Sequence, residues 1–189
     1  MTLASFFRTF MVIGALLLAV ALPSRSGAAT GTVYLLDNED VRHKIADISL
    51  MPEGGGHKYR LNMQYDRFTD YFLSMKEMKC LEGPELMCHL PYPYRNPHWL
   101  SDTGLHWLEH DLLFMFKQPS EYGVNFWNGI LYRLTPTAYG YSGTGMAVDL
   151  NELAAPPDDL DVPAFKGIHL EELSTKNRWL PRLEIRLVP

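Results

Sequence analysis

The residues with the clearest capacity for chemistry are His106, Glu109 and His110, which stand in the order H-x-x-E-H. On an α-helix, imidazoles four positions apart lie on one face and can bind the same zinc ion. A carboxylate next to them can act as a general base toward a metal-bound water. The spacing therefore gives one hypothesis for the function, a zinc-dependent hydrolase in which His106 and His110 bind the metal and Glu109 is catalytic.

The segment 104–110, Gly-Leu-His-Trp-Leu-Glu-His, resembles the zinc-binding helix of the inverted-motif zinc peptidases, the inverzincins. The resemblance covers a small part of the chain. It implies that the two histidines bind zinc, that the glutamate activates the bound water, and that another glutamate far downstream completes the site. Glu184 is the distant carboxylate that fits this role best, although it lies on the polar side of a predicted strand. His98 is a further candidate ligand if the turn at Ser101 folds back.

The element that must hold this motif is a helix. Ser101 and Asp102 are good capping residues, and the pattern after them predicts about three helical turns between Asp102 and Phe116. Its apolar stripe is formed by three leucines at i, i+3 and i+7: Leu105, Leu108 and Leu112. At about 100° per residue, these leucines lie opposite His106 and His110. Packing of the leucines therefore predicts histidines that face the solvent, and the favoured hypothesis has no metal, no cofactor and no assigned catalytic residue.

The strongest strand pattern runs over residues 58–66, where apolar and polar side chains alternate strictly. One side of this strand carries four apolar or aromatic residues: Tyr59, Leu61, Met63 and Tyr65. The glycines at 54–56 favour a tight turn, so the strand is predicted to form a hairpin with the apolar residues 48–51. A second strand is predicted over residues 68–79, which lead directly to Cys80.

Four further strand-like runs complete the pattern: 31–36, 130–135, 139–150 and 182–187. The apolar run 112–116 fits either the buried end of the helix or a strand, because periodicity does not separate the two in so short a segment. Together these elements predict a mainly β domain, an antiparallel sheet coiled into a small barrel or sandwich with one short helix near 102–116.

The start of the chain has the pattern of a secretory signal peptide. Residues 10–22 form an uncharged apolar run of thirteen residues, and small residues precede Ala29. The run is shorter than the about 20 residues that a membrane-spanning helix needs. We therefore predict a signal peptide over residues 1–29, cut after Ala29 or Ala28, and a single β-rich domain over residues 30–189. The mature protein is predicted to be periplasmic or secreted, without stable membrane insertion.

Cys80 and Cys88 are the only cysteines of the chain, and Gly83 and Pro84 between them favour a turn. In an oxidising compartment such a pair predicts one disulfide bond. The spacing is not C-x-x-C, so the pair lacks the pattern of a redox-active dithiol.

Charge and composition narrow the classes of partner. The chain has 17 Lys and Arg against 22 Asp and Glu, a net charge of −5, and no basic cluster, which disfavours nucleic acid as a partner. Two classes of function remain open. The favoured one is a non-enzymatic envelope or secreted protein that binds a small apolar ligand or another envelope component beside Tyr59, Leu61, Met63 and Tyr65. The alternative is the zinc hydrolase. The oligomeric state is left open.

Overall fold

The computed structural model describes residues 27–73, 76–101 and 104–188, and most of the predicted signal peptide lies outside them. Within these ranges the chain forms twelve strands and one α-helix, α1, which spans His106–Asp111. The strands are β1 (Ala29–Leu36), β2 (Arg42–Glu53), β3 (Gly56–Met63), β4 (Thr69–Leu73), β5 (Lys76–Glu82), β6 (Leu86–His89), β7 (Trp99–Leu100), β8 (Phe114–Lys117), β9 (Gly129–Thr137), β10 (Gly140–Val148), β11 (Glu171–Glu172) and β12 (Arg182–Val188). In that part of the chain, no helix is long and apolar enough to cross a membrane.

All strands belong to one antiparallel sheet. Its order is β4-β5-β6-β8-β9-β10-β12-β1-β2-β3-β7, and β11 adds to β10 outside this path. The sheet does not close into a barrel, because its two ends, β4 and β7, do not pair with each other. The predicted fold class, a mainly β antiparallel sheet with one short helix, is confirmed.

The coiled sheet buries one apolar cluster on each face. Ile130 and Tyr132 of β9 belong to the larger cluster and Leu131 to the smaller, as expected for alternating side chains on a strand. The leucines at 105, 108 and 112 pack into the larger cluster and place α1 against the interior of the coil. Phe165 belongs to the smaller cluster, so the segment after β10 returns to cover the opposite face.

The hairpin of β2 and β3 has the predicted form. Gly54 and Gly55 both have positive φ angles, 57° and 83°, which glycine adopts without steric cost and which a two-residue hairpin turn requires. Leu50 then lies opposite Tyr59, and Tyr59 is only 2% exposed. The alternation over 58–66 therefore placed the buried side of β3 correctly.

Two strand predictions change in the structure. Residues 68–79 are not one strand: they fall into β4 and β5, which pair with each other so that Thr69 faces Cys80. Residues 74 and 75, between the two strands, lie outside the described part of the chain. Within the run 112–116, residues 114–116 take the strand alternative, because β8 pairs with β6 and places Met115 opposite Cys88, whereas Leu112 ends the helix as its C-cap.

Cys80 and Cys88 face each other across β5 and β6, both fully buried, with their sulfur atoms at bonding distance. This geometry fits the predicted disulfide and an oxidising compartment. Loss of the bond is expected to lower the free energy of unfolding by about 2–3 kcal/mol, because the bond limits the freedom of a short loop in the unfolded chain. Urea unfolding of oxidised and reduced protein measures the difference.

Intact-mass measurement with and without reductant provides the control for this prediction. Reduction should add about two daltons to a monomeric chain, one hydrogen for each cysteine. A species of doubled mass before reduction would show pairing between chains and contradict the bond within one chain.

Candidate ligand-binding cleft

The helix that carries the H-x-x-E-H motif is shorter than predicted. It has six residues, and Leu105 occupies the N-cap position without a side-chain cap. Ser101 does not cap it, because the backbone of Ser101 pairs with that of Gly104 in an isolated bridge. Asp102, the other predicted cap, lies outside the described residues. The chain leaves the helix at Leu112 and enters β8 directly.

Glu109 is a buried structural carboxylate, only 1% exposed. One oxygen, Oε1, accepts the backbone N–H of Leu134 at 2.8 Å, and the other accepts Nη1 of Arg133 at 2.9 Å and lies 3.1 Å from Nδ1 of His106. Strand β9 runs beyond the end of its partner β8, so the N–H of Leu134 needs another acceptor. Glu109 supplies that acceptor and ties α1 to the open edge of β9.

His110 is completely buried, with 0% exposure. Its Nδ1 donates to the carbonyl of His106 at 2.6 Å, and its Nε2 accepts the N–H of Phe165 at 3.0 Å. The ring stacks on Phe165 at 5.5 Å and meets the edge of Tyr92 at 5.1 Å. Burial lowers the pKa of His110 to about 4, so the ring is neutral at pH 7.

The prediction that the histidines of the helix face the solvent is therefore wrong for His110, and Glu109 beside it is buried as well. The leucines do pack into the coil, as predicted, but Tyr92 and Phe165 cover the side of α1 that carries His110. Only His106 stays partly open, with 29% of its side chain exposed.

The residues considered as zinc ligands do not come together. Both ring nitrogens of His110 are hydrogen bonded to protein atoms, Glu184 pairs with Arg42 and Arg186, and His98 pairs with Asp111. Among residues 27–73, 76–101 and 104–188, no group of three or more His, Cys, Asp or Glu side chains is arranged to hold a metal ion. The described residues thus resemble the inverzincin helix in sequence but do not assemble the set of zinc ligands that the resemblance implies.

A cleft of about 550 Å³ opens beside β3, near the end of the sheet path. Its apolar wall is formed by Met51, Leu61, Met63, Pro91 and Tyr92. Three of the four residues predicted to enclose a cavity, Tyr59, Leu61 and Met63, line it. Tyr65 instead lies in a single 3-10 turn, where its hydroxyl bonds Nδ1 of His89 at 2.8 Å. The predicted enclosed cavity is therefore an open cleft.

Asp111 forms the polar end of the cleft at the C-terminus of α1. Its Oδ2 accepts the hydroxyl of Tyr59 at 2.7 Å and Nδ1 of His98 at 3.0 Å. Asn96 holds the same cluster, because its amide donates to the Tyr59 hydroxyl at 3.0 Å and to the carbonyl of Trp107 at 3.1 Å. Burial and the neighbouring carboxylate raise the pKa of Tyr59 above its ordinary range, so Tyr59 keeps its proton and acts as the donor.

His89 is a second buried imidazole at this end, and burial lowers its pKa below the ordinary value. The neutral ring has one donor and one acceptor. Nε2 lies 2.9 Å from the carbonyl of Asp111, so it carries the hydrogen, and Nδ1 accepts the hydroxyl of Tyr65. His89 is thus a fixed part of the wall.

His98 is the accessible imidazole, with 51% of its side chain exposed. Its backbone has a φ of 52°, uncommon for a residue with a side chain. Two hydrogen bonds of 2.8 Å hold this conformation: its N–H donates to Oδ1 of Asn96, and its carbonyl accepts the N–H of Tyr59. Nδ1 is hydrogen bonded to Asp111, and no residue in the described ranges is hydrogen bonded to Nε2. Nε2 is therefore available to a ligand.

Lys58 and Arg60 give the cleft a positive rim. They lie on the exposed side of β3, and neither forms an ion pair with any carboxylate of the described residues. Asp111, the one carboxylate among the described residues that line the cleft, already accepts hydrogen bonds from Tyr59 and His98. The cleft thus combines an apolar wall with unpaired positive charge, an arrangement suited to a ligand with an apolar body and an anionic group.

Sequence reasoning did not single out Asp111, Lys58 or Arg60 for a site, and it considered His98 only as a metal ligand. The sequence signal for this site is the alternation along β3. It shows which side chains lie on each side of the strand, but it does not show where pairing with a neighbouring strand ends. Comparison of the chain with protein-family models, curated protein sequences and solved structures found no match, so the geometry of this cleft is the basis for assigning a function.

Proposed function

We propose that the chain is a non-enzymatic binding protein of an oxidising compartment, periplasmic or secreted, whose cleft beside β3 holds a ligand with an apolar body and an anionic group. The observation that supports this proposal most directly is the composition of the cleft. The apolar side chains of Leu61 and Met63 and the unpaired cations Lys58 and Arg60 line the same space. The predicted signal peptide and the bonded geometry of the cysteines support the compartment.

The polar groups of the cleft favour binding over catalysis. Asp111 is satisfied by Tyr59 and His98, and both nitrogens of His89 are engaged within the protein. The described residues that line the cleft include no serine, threonine or cysteine that could act as a nucleophile beside His98. What the site offers a ligand is apolar surface, positive charge and the free Nε2 of His98.

An anilinonaphthalene sulfonate dye is the first probe, because it joins an aromatic body to an anionic group. It is expected to bind the native protein saturably, with one dye per chain, and to gain fluorescence. Leu61→Trp should block binding by filling the cleft. Lys58→Glu with Arg60→Glu should weaken binding by about tenfold, because two attractive charges become repulsive.

The matched control for charge is Lys166→Glu with Lys176→Glu, two exposed lysines outside the cleft. This pair changes the net charge equally and should leave dye affinity within about twofold, by the weak effect of distant exposed charges. Circular dichroism checks that each variant is folded. Full dye binding by a folded Leu61→Trp variant would contradict the proposed site.

A further inference from the structure

Strand β3 presents an unpaired backbone edge to the cleft. The short strand β7 pairs with β3 only at His57 and Lys58, and the N–H of Tyr59 donates to the carbonyl of His98 at 2.8 Å. In an antiparallel ladder, alternate residues direct their N–H and C=O groups to the same side. Leu61 and Met63 therefore direct theirs to the side of Tyr59, where no strand of the described chain pairs with them.

The opposite side of β3 confirms this assignment. The N–H of Gln64 donates to the carbonyl of Ile45 at 2.8 Å, toward β2. Residues at even positions thus direct their backbone groups to β2, and those at odd positions direct theirs away from it. Leu61 and Met63 together offer two donors and two acceptors to an incoming chain.

We infer that the ligand of the cleft is an extended peptide segment that adds to β3 as a further strand, with apolar residues facing inward and acidic residues facing outward. The inference rests on the proposed function, because it names the class of ligand that the same cleft takes. Pairing of a peptide with a free strand edge is a common mode of peptide recognition.

The side chains of β3 define this alternation. Leu61 and Met63 point to the apolar wall, whereas Lys58 and Arg60 are exposed on the other side. A strand added beside β3 has the same alternation, so every second side chain of the peptide would lie beside the leucine and the methionine. The intervening side chains would lie beside Arg60, with Lys58, whose own cross-strand neighbour is Trp99 of β7, in diagonal reach, which favours aspartate or glutamate there.

The unpaired edge also favours a peptide over an acyl chain. A hydrocarbon laid along β3 would cover the backbone groups of Leu61 and Met63 without replacing their hydrogen bonds to water, which is costly. A peptide backbone pairs with the same groups. It would also continue the line begun by β7 and His98, which already occupy the first part of this edge.

The test uses a capped synthetic peptide of alternating valine and glutamate with the full-length mature protein. The peptide is expected to displace the dye and to bind with one peptide per chain in calorimetry. A valine and lysine peptide of equal length should bind at least tenfold more weakly. A valine and glutamate peptide that is N-methylated on the edge facing β3 should also lose at least tenfold, with the protein itself unchanged.

Met63→Pro and Met63→Ala form the matched protein pair. Both remove the methionine side chain, but only proline removes the N–H at this position. That N–H points away from β2, so proline leaves the ladder between β2 and β3 intact. Met63→Ala is expected to bind the peptide at least tenfold more tightly than Met63→Pro, because both variants lack the methionine side chain and only the proline variant lacks the N–H.

Each outcome separates the inference from the proposed function. Saturable dye binding without peptide binding would overturn the peptide inference and leave the binding function standing. Equal peptide affinity of the two Met63 variants, or of the methylated and unmethylated peptides, would overturn strand addition. Binding of neither dye nor peptide to the folded protein would overturn both proposals.

Discussion

Glu109→Ala is expected to lower the free energy of unfolding by about 3–4 kcal/mol, a large part of the stability of an ordinary domain. The change leaves the buried N–H of Leu134 without an acceptor and the guanidinium of Arg133 without its partner. It also opens a space between α1 and β9. Urea unfolding followed by circular dichroism measures the loss.

Two variants control this prediction. Glu109→Gln keeps the size of the side chain and a carbonyl oxygen for Leu134 but removes the negative charge, so it should cost about half as much as alanine, since hydrogen bonds to charged groups are the stronger ones. Glu152→Ala removes an exposed carboxylate and should change stability by less than about 0.5 kcal/mol. A loss below about 1 kcal/mol for Glu109→Ala would contradict the structural role and return Glu109 to consideration for chemistry.

The parts of the fold that the sequence predicted correctly are those with local causes. The glycines before β3 determine its turn, and the alternation over 58–66 determines which side of it is buried. The number of cysteines, the turn at Gly83 and Pro84 and the predicted oxidising compartment indicated the pairing of Cys80 with Cys88. In the segment 68–79, by contrast, the residue pattern contains no strong turn signal, so the hairpin of β4 and β5 was predicted as one strand.

The candidate site, by contrast, depends on contacts between residues that are far apart in the sequence. His110 is buried because Phe165 arrives from a segment far along the chain, which the pattern of leucines on α1 does not reveal. The cleft exists because pairing along β3 ends after Tyr59, and strand periodicity does not report which strand forms an edge. Asp111 and His98 meet Tyr59 because the connector between β6 and β7 places His98 beside β3. The spacing of the H-x-x-E-H motif therefore predicted a site on α1, whereas the open cleft of the structure lies next to that helix, beside β3.

Acid is expected to destabilise the protein through His110, by about 3 kcal/mol between pH 6.5 and pH 4. The folded state holds the pKa of His110 at about 4, chiefly by burial, against an ordinary value of 6.5. Well above pH 6.5 the ring is neutral in both states and has no effect on the pH dependence. As pH falls from 6.5 toward 4, the unfolded chain binds a proton that the folded protein excludes, so unfolding becomes more favourable. The lowered pKa of His89 acts in the same direction.

His110→Gln isolates this contribution, because glutamine has a similar reach and stays neutral at every pH. Other groups that titrate in acid are common to both proteins and cancel in the comparison. At pH 7 the variant should be less stable than the wild type, since the amide replaces the stacked ring on Phe165 imperfectly. Toward pH 4 the wild type should lose about 3 kcal/mol more than the variant, and the order of stability should reverse.

His169→Gln, at an exposed position, should follow the wild type at every pH. Parallel loss of stability in the wild type and His110→Gln would show that His110 takes up its proton as easily in the folded state as in the unfolded chain, and would contradict its burial between Tyr92 and Phe165.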